Sequence, residues 1–317
     1  MTTPPDVEDK VAPSTDDATP TLTDKKYGMF GGVFTPTLLT ILGVIMYLRT
    51  GWVVGNAGLV GGLLIIGLAF AIITATALSM SSITTNIRIG AGGAYSIISQ
   101  SLGLEVGGSV GIPLYLSQAL AVTMYIFGFR EGWLWVFPDH PALLVDLGAF
   151  VLIFGIAYVS AGLAFQVQYG ILAVIIASLI SVGLAAEAGS MEYSLSEVQL
   201  WGDYPGSPED GFPGTSFWVV FAVFFPAATG IMAGANMSGE LKDPRGSIPI
   251  GTLGAIGVSF LVYVALAFWL ALSASPDELV RNYTIMIDRA YWGPAVVAGL
   301  LGATFSSALA STVGAPR

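Results

Sequence analysis

The sequence predicts an all-α, polytopic membrane protein, and three observations carry that prediction. Hydrophobic residues make up 54% of the 317 residues and charged residues only 10%, against about a quarter charged in soluble domains. Asp, Glu, Lys and Arg are absent from seven long runs: 27–48, 50–87, 106–129, 147–186, 211–239, 246–276 and 290–316. A membrane span needs about 20 mostly apolar residues, and the runs 50–87 and 147–186 have room for two helices each. One mid-bilayer charge costs roughly 2.5–3.5 kcal/mol on insertion scales, so runs this clean do not describe a soluble core.

In chain order, residues 1–26 are rich in Pro, Thr and Asp with almost nothing to bury; they are expected to form a disordered cytoplasmic tail. They lack the basic start, short apolar stretch and cleavage site of a signal peptide, so insertion is expected through the first span. Residues 27–317 form the transmembrane domain. Eight helices are expected there, near 30–54, 60–83, 106–133, 143–162, 168–187, 215–236, 247–273 and 293–313. Gln166-Val167-Gln168 is expected to separate the fourth from the fifth. Residues 188–213 read as a polar loop, and the short apolar piece 90–102 as an interfacial or re-entrant segment. With the N-terminus inside, the cytoplasmic side collects Lys10, Lys25, Lys26, Arg88, Lys242, Arg245 and Arg317. The outside receives Arg49, Arg130, Arg281 and Arg289. The positive-inside rule therefore favours a cytoplasmic N-terminus.

Several function classes are excluded. With no cysteine, thiol catalysis, disulfides and thiolate metal sites are out. The single histidine, His140, lies in a Pro-Asp-His-Pro loop and reads as solvated. A net charge of −10 argues against nucleic acid as a partner. No nucleophile–base pair, phosphate loop or cofactor motif supports an enzyme.

Helices one and six carry the functional signal. Leu42-Gly43-Val44 lies in the middle of the first, and Pro226-Ala227-Ala228-Thr229-Gly230-Ile231 in the middle of the sixth. Proline removes a backbone donor and glycine tolerates non-helical angles. In hydrocarbon, freed peptide groups survive only where protein or a cavity lines them. Paired interruptions in two repeats point to a transporter's midplane site. Freed carbonyls attract cations and freed amides attract anions, and no ionisable side chain other than tyrosine lies at this depth. Small inorganic ions suit such a site better than bulky charged organics.

At these residues the chain resembles a known family. The stretches 42–55, 92–99, 224–236 and 305–311 are similar to the cation–chloride cotransporters. These belong to the amino acid–polyamine–organocation superfamily, with the five-plus-five inverted-repeat fold of LeuT. The resemblance runs from about Tyr27 to the last residue. It implies a potassium site at the carbonyls of Thr40, Ile41 and Pro226 with the hydroxyls of Thr229 and Tyr125. It implies chloride sites at the amides of Gly43, Val44 and Ile45, and of Gly230, Ile231 and Met232. It implies a sodium site at carbonyls near Leu39, Leu42 and Ala303 with the hydroxyls of Ser306 and Ser307. The paired serines and Ala227-Ala228 follow the sodium-coupled, Na-K-Cl-like branch, while Thr40 and Leu42 depart from the family's usual asparagine and aromatic.

Each side chain also has a plainer reading. Tyr125 fits a buried aromatic bonded to a carbonyl, the serines fit close helix packing, and Thr229 fits back-bonding within its own helix. Family members carry twelve spans, so the fold is expected to be incomplete here and Arg317 to mark a truncation. The implied function is secondary active transport of potassium and sodium with chloride across the cell membrane. Inorganic ions and the lipid bilayer are the expected partners, together with a second copy in a homodimer. The alternatives are an amino acid or amine permease of the same superfamily and a non-transporting fragment.

Overall fold

The computed structural model describes residues 27–87, 92–159 and 161–315; the tail 1–26, Arg88, Gly90, Ala91 and Arg317 lie outside them. Among the described residues seven helices are long and apolar enough to cross a membrane, and Ala142–Tyr158 is a shorter apolar helix. The protein is a multi-pass helical membrane protein.

The first span opens with a π-helical stretch, Phe30–Phe34, and continues as α1 (Thr35–Ile41) and α2 (Val44–Leu48). The long element α3 (Thr50–Asn86) is two helices joined at Gly58, which has φ +73° and ψ 175°. Only glycine fits there. A Cβ would need a left-handed angle and would lie 2.7 Å from both the Leu200 carbonyl oxygen and the Gly202 nitrogen. The peptide groups freed by this corner find partners in the expected polar loop. Leu59 and Val60 donate to the carbonyls of Gln199 and Leu200 at 3.0 and 2.9 Å, and Gly202 and Tyr204 donate to those of Ala57 and Asn56 at 2.8 and 3.1 Å. A helix corner near the bilayer must satisfy its backbone groups, and this loop does so.

The segment after residue 90 includes α4 (Gly93–Leu102), which Gly103 separates from α5 (Leu104–Val136). Then follow α6 (Ala142–Val159) and α7 (Ala161–Glu187). The expected break at Gln166-Val167-Gln168 is not a helix end, because α7 runs through it. Glutamine is a good helix former, and Gln168 is buried in the bundle; polarity alone did not stop the helix. The loop 188–216 holds a two-stranded hairpin, β1 (Gly206–Ser207) with β2 (Phe212–Pro213).

The sixth span begins as α8 (Phe217–Phe224), tightens into a 3₁₀ stretch, Phe225–Ile231, and ends as α9 (Met232–Ala235). The expected discontinuity here takes another form: the helix overwinds for seven residues and has no extended residue. Pro226 sits in its first turn, where a missing N–H costs little. Seven residues is long for a 3₁₀ helix. Next come α10 (Pro244–Ser273), the short helices α11 (Pro276–Arg281) and α12 (Ile285–Arg289), and α13 (Gly293–Gly314).

α10 packs along α3, and α13 packs against α5 and α7. The first span is the most enclosed, with 78% of its apolar window buried, whereas the α5 window is 11% buried. The interrupted helix therefore runs through the middle of the bundle, with α5 at its margin.

Candidate functional site

The first helix breaks at Leu42 (φ −80°, ψ 47°) and Gly43 (φ −93°, ψ −155°). The Leu42 amide still bonds to the Leu38 carbonyl at 2.8 Å, and beyond the break Met46 reaches only to the Gly43 carbonyl at 3.2 Å. The amides of Gly43, Val44 and Ile45 are thereby separated from the carbonyls of Leu39, Thr40 and Ile41, their ordinary helical partners. Carbonyls end α1 and amides begin α2, the polarity that suits a cation on one side and an anion on the other.

The overwound part of the sixth span lies against this break. A Cβ on Gly230 would approach the Thr40 Cβ to 2.5 Å and the Thr40 carbonyl carbon to 3.0 Å. Thr40 and Gly230, expected in a potassium and a chloride site, are thus in direct contact. The Thr40 hydroxyl donates to the Pro36 carbonyl one turn below. The Thr229 hydroxyl donates to the Pro226 carbonyl at 2.8 Å, so two expected potassium ligands are bonded to one another. This is the back-bonding geometry of a helical threonine. Ile231 and Met232 follow at the 3₁₀-to-α junction.

The paired serines come from α13. Ser306 and Ser307 are both 1% exposed, and Ala303 lies fully buried one turn earlier. The Ser307 hydroxyl stands 3.5 Å from the Leu39 carbonyl oxygen, the outer limit of a hydrogen bond. It would also lie 3.5 Å from a Cβ on Gly43. Leu39, Gly43 and Ser307 are therefore brought together. Tyr125 is buried on α5, and one turn on, Gly128 admits Val44 and Thr304, which a Cβ would meet at 2.3 and 3.3 Å.

Sequence reasoning missed Tyr263. Its side chain on α10 is fully buried, and its hydroxyl donates to the Ile41 carbonyl at 2.9 Å. Its ring meets Phe224 edge-on, with centroids 5.3 Å apart, and lies 5.7 Å from Phe70. A phenol inside an aliphatic span needs a polar partner; that was the available signal, but nothing in the sequence says which carbonyl it meets.

Residues 32–317 match the amino acid permease family model. The chain belongs to the amino acid permease family. Among its relatives, solute carrier family 12 member 9 of Danio rerio is 36% identical, covering 92% of this chain and 37% of the relative. Member 1 of Rattus norvegicus is 33% identical over 92% of this chain and 31% of the relative. Member 2 of Squalus acanthias is 34% identical over 92% and 29%. The chain spans about a third of the length of these relatives. The resemblance to cation–chloride cotransporters stated above extends over that same part. This is a family of transporters rather than enzymes.

Beside the loop 188–216, a cavity of about 790 Å³ is lined by Arg49, Trp52, Asp210, Thr215, Val223 and Tyr283, among others. The Arg49 guanidinium lies 4.0 Å above the Tyr283 ring, within cation–π range. Its Nη1 is buried without a hydrogen-bond partner among the described residues. The Tyr283 hydroxyl bonds to Asp210 and, at 3.0 Å, to Ser207, which accepts from Trp52 Nε1 at 2.8 Å. Burial, and then the bond to Asp210, raises the Tyr283 pKa above its usual value. On the other side of the breaks, Pro36, Gln168 and Asn236 help line a cavity of only about 20 Å³.

Proposed function

We infer that the chain holds the ion-binding centre of a secondary active symporter. It couples potassium, and with it sodium, to chloride across the cell membrane, with the N-terminus cytoplasmic. The observation that carries this reading is the contact of Thr40 with Gly230, beside the break at Leu42-Gly43. The carbonyl end of α1 and the amide start of α2 meet at that break, with the Ser307 hydroxyl alongside. Such a site loads a cation and an anion as a pair without an ionised side chain. Potassium is assigned to the carbonyls of Thr40, Ile41 and Pro226 with Thr229 and Tyr125. Chloride is assigned to the amides of Gly43, Val44 and Ile45, freed at the break, and to those of Gly230, Ile231 and Met232, which the continuous 3₁₀-to-α stretch would have to release from its own pairing. Sodium is assigned to Leu39, Leu42, Ala303, Ser306 and Ser307, and the 3.5 Å approach of Ser307 to the Leu39 carbonyl supports that group. A homodimer is the proposed assembly.

An amino acid substrate is disfavoured by crowding. A single glycine, Gly43, opens the first helix, and the flanking Leu42 and Val44 crowd the space at the freed amides. The test is uptake by the full-length protein in liposomes. Rubidium uptake is expected to require chloride and to be stimulated by sodium. Ser306→Ala combined with Ser307→Ala is expected to remove that stimulation. Uptake of labelled amino acids without rubidium would sink the ion assignment, and unchanged sodium dependence in the double variant would sink the sodium site.

A further inference from the structure

We propose that Tyr263 is a positioning residue that sets cation preference at the break in the first helix, a proposal that rests on the ion-symport reading above. Three carbonyls in a row, those of Leu39, Thr40 and Ile41, end α1, and the last carbonyls of a helix carry its partial negative charge. They are held very differently. The Leu39 oxygen meets the Ser307 hydroxyl only at 3.5 Å, whereas the Ile41 oxygen receives the phenolic hydrogen of Tyr263 at 2.9 Å. A carbonyl has two lone pairs, so the phenol occupies one and leaves the other for a guest.

Donation to a carbonyl has two consequences. It fixes the direction in which the remaining lone pair points, and it withdraws negative charge from the oxygen. Selectivity among alkali cations depends on the number and field strength of coordinating carbonyls. A weakened carbonyl repays the dehydration of a large, loosely hydrated cation better than that of a small, tightly hydrated one. Tyr263 therefore biases the Ile41 oxygen toward potassium or rubidium, while the nearly unencumbered Leu39 oxygen keeps the stronger field that sodium needs. One side chain sorts two cations that neighbouring carbonyls of a single helix end would otherwise treat alike.

The packing makes this bias rigid. The Tyr263 ring is wedged edge-on against Phe224, the last residue before the overwound stretch of the sixth span, and against Phe70 of α3. The hydroxyl thus takes its position from both the sixth span and α3, and it cannot leave the Ile41 carbonyl without those rings moving.

The test compares Tyr263→Phe with the parent in the full-length protein, reading thermal stabilisation by rubidium chloride, sodium chloride and N-methylglucamine chloride, and rubidium uptake. Loss of one hydrogen bond is expected to raise the half-saturating rubidium concentration about 2- to 10-fold. Sodium is expected to compete better, with the half-saturating chloride concentration and the maximal rate nearly unchanged. Site-specific 3-fluorotyrosine at 263, whose hydroxyl is the stronger donor, keeps the fold and is expected to shift the rubidium-to-sodium ratio the opposite way. A ratio unchanged in both proteins overturns the proposal. So does a loss of maximal rate with every half-saturating concentration unaltered, which marks a purely structural role. If the parent itself shows neither rubidium stabilisation nor rubidium uptake, the symport reading fails first.

Discussion

Replacing Gly230 by alanine tests the contact on which the site is built. The added methyl would sit 2.5 Å from the Thr40 Cβ and 3.0 Å from both the Thr40 carbonyl carbon and its Cγ2. These are backbone and β-branched atoms, not the far end of a flexible chain. Thr40 cannot turn away cheaply, because its hydroxyl is bonded to the Pro36 carbonyl. Relief must come from separating the two spans by about an ångström, and overpacking of this kind costs about 1–3 kcal/mol. The control is Gly67→Ala in the middle of α3, where a Cβ meets nothing within 4 Å. There alanine is expected to stabilise by up to about 1 kcal/mol through helix propensity. The assay is thermal unfolding of the purified proteins, followed by rubidium uptake in liposomes. Gly230→Ala is expected to melt lower and lose most uptake, and Gly67→Ala to melt no lower than the parent with uptake intact. Equal melting temperatures for Gly230→Ala and the parent would show that the two spans do not meet at Thr40.

Three further outcomes follow from the outer half. Gly58→Ala forces a left-handed angle and a 2.7 Å clash with loop backbone; it is expected to cost about 2–5 kcal/mol and to expose the amides of residues 199–204 to hydrogen exchange. Asn56 is fully buried and holds Gly206 through both its amide oxygen, at 2.7 Å, and its amide nitrogen, at 3.3 Å. Asn56→Ala strands those groups and is expected to lower stability by about 1–3 kcal/mol, read as an earlier melt. Tyr283, with its raised pKa, favours its protonated form in the fold. Its stabilising contribution is therefore complete below the ordinary tyrosine pKa of about 10 and is lost as pH rises through the higher folded value. Melting curves at alkaline pH are expected to show this extra loss in the parent and not in Tyr283→Phe.

The legible part of this protein was what hydrocarbon enforces. Charge-free runs placed the helices to within a few residues, and Gly43 marked the break because a side-chain-free residue in mid-span allows non-helical angles. Three features escaped for identifiable reasons. Gln166 and Gln168 suggested a helix end by polarity, yet α7 passes through both, and Gln168 is buried within it without interrupting the backbone pairing. Pro226 and Gly230 suggested a gap, but proline at the first turn of a 3₁₀ stretch and glycine under Thr40 are both satisfied by overwinding. Tyr263 acts across 222 residues of sequence on the Ile41 carbonyl, and no local pattern encodes that distance.

The loop bonded to the Gly58 corner has a mechanical consequence. Residues 199–204 are bonded to the corner at Gly58, Ser207 receives the indole N–H of Trp52 on α3, and Thr215 is tied back to the Tyr204 carbonyl just before α8 begins. At its other end the Glu192 and Tyr193 amides are anchored on the Leu272 carbonyl of α10. The loop is thus a tie-bar between the start of α3 and the start of α8. A tilt of either helix would drag the other through it, so the two are expected to move in step.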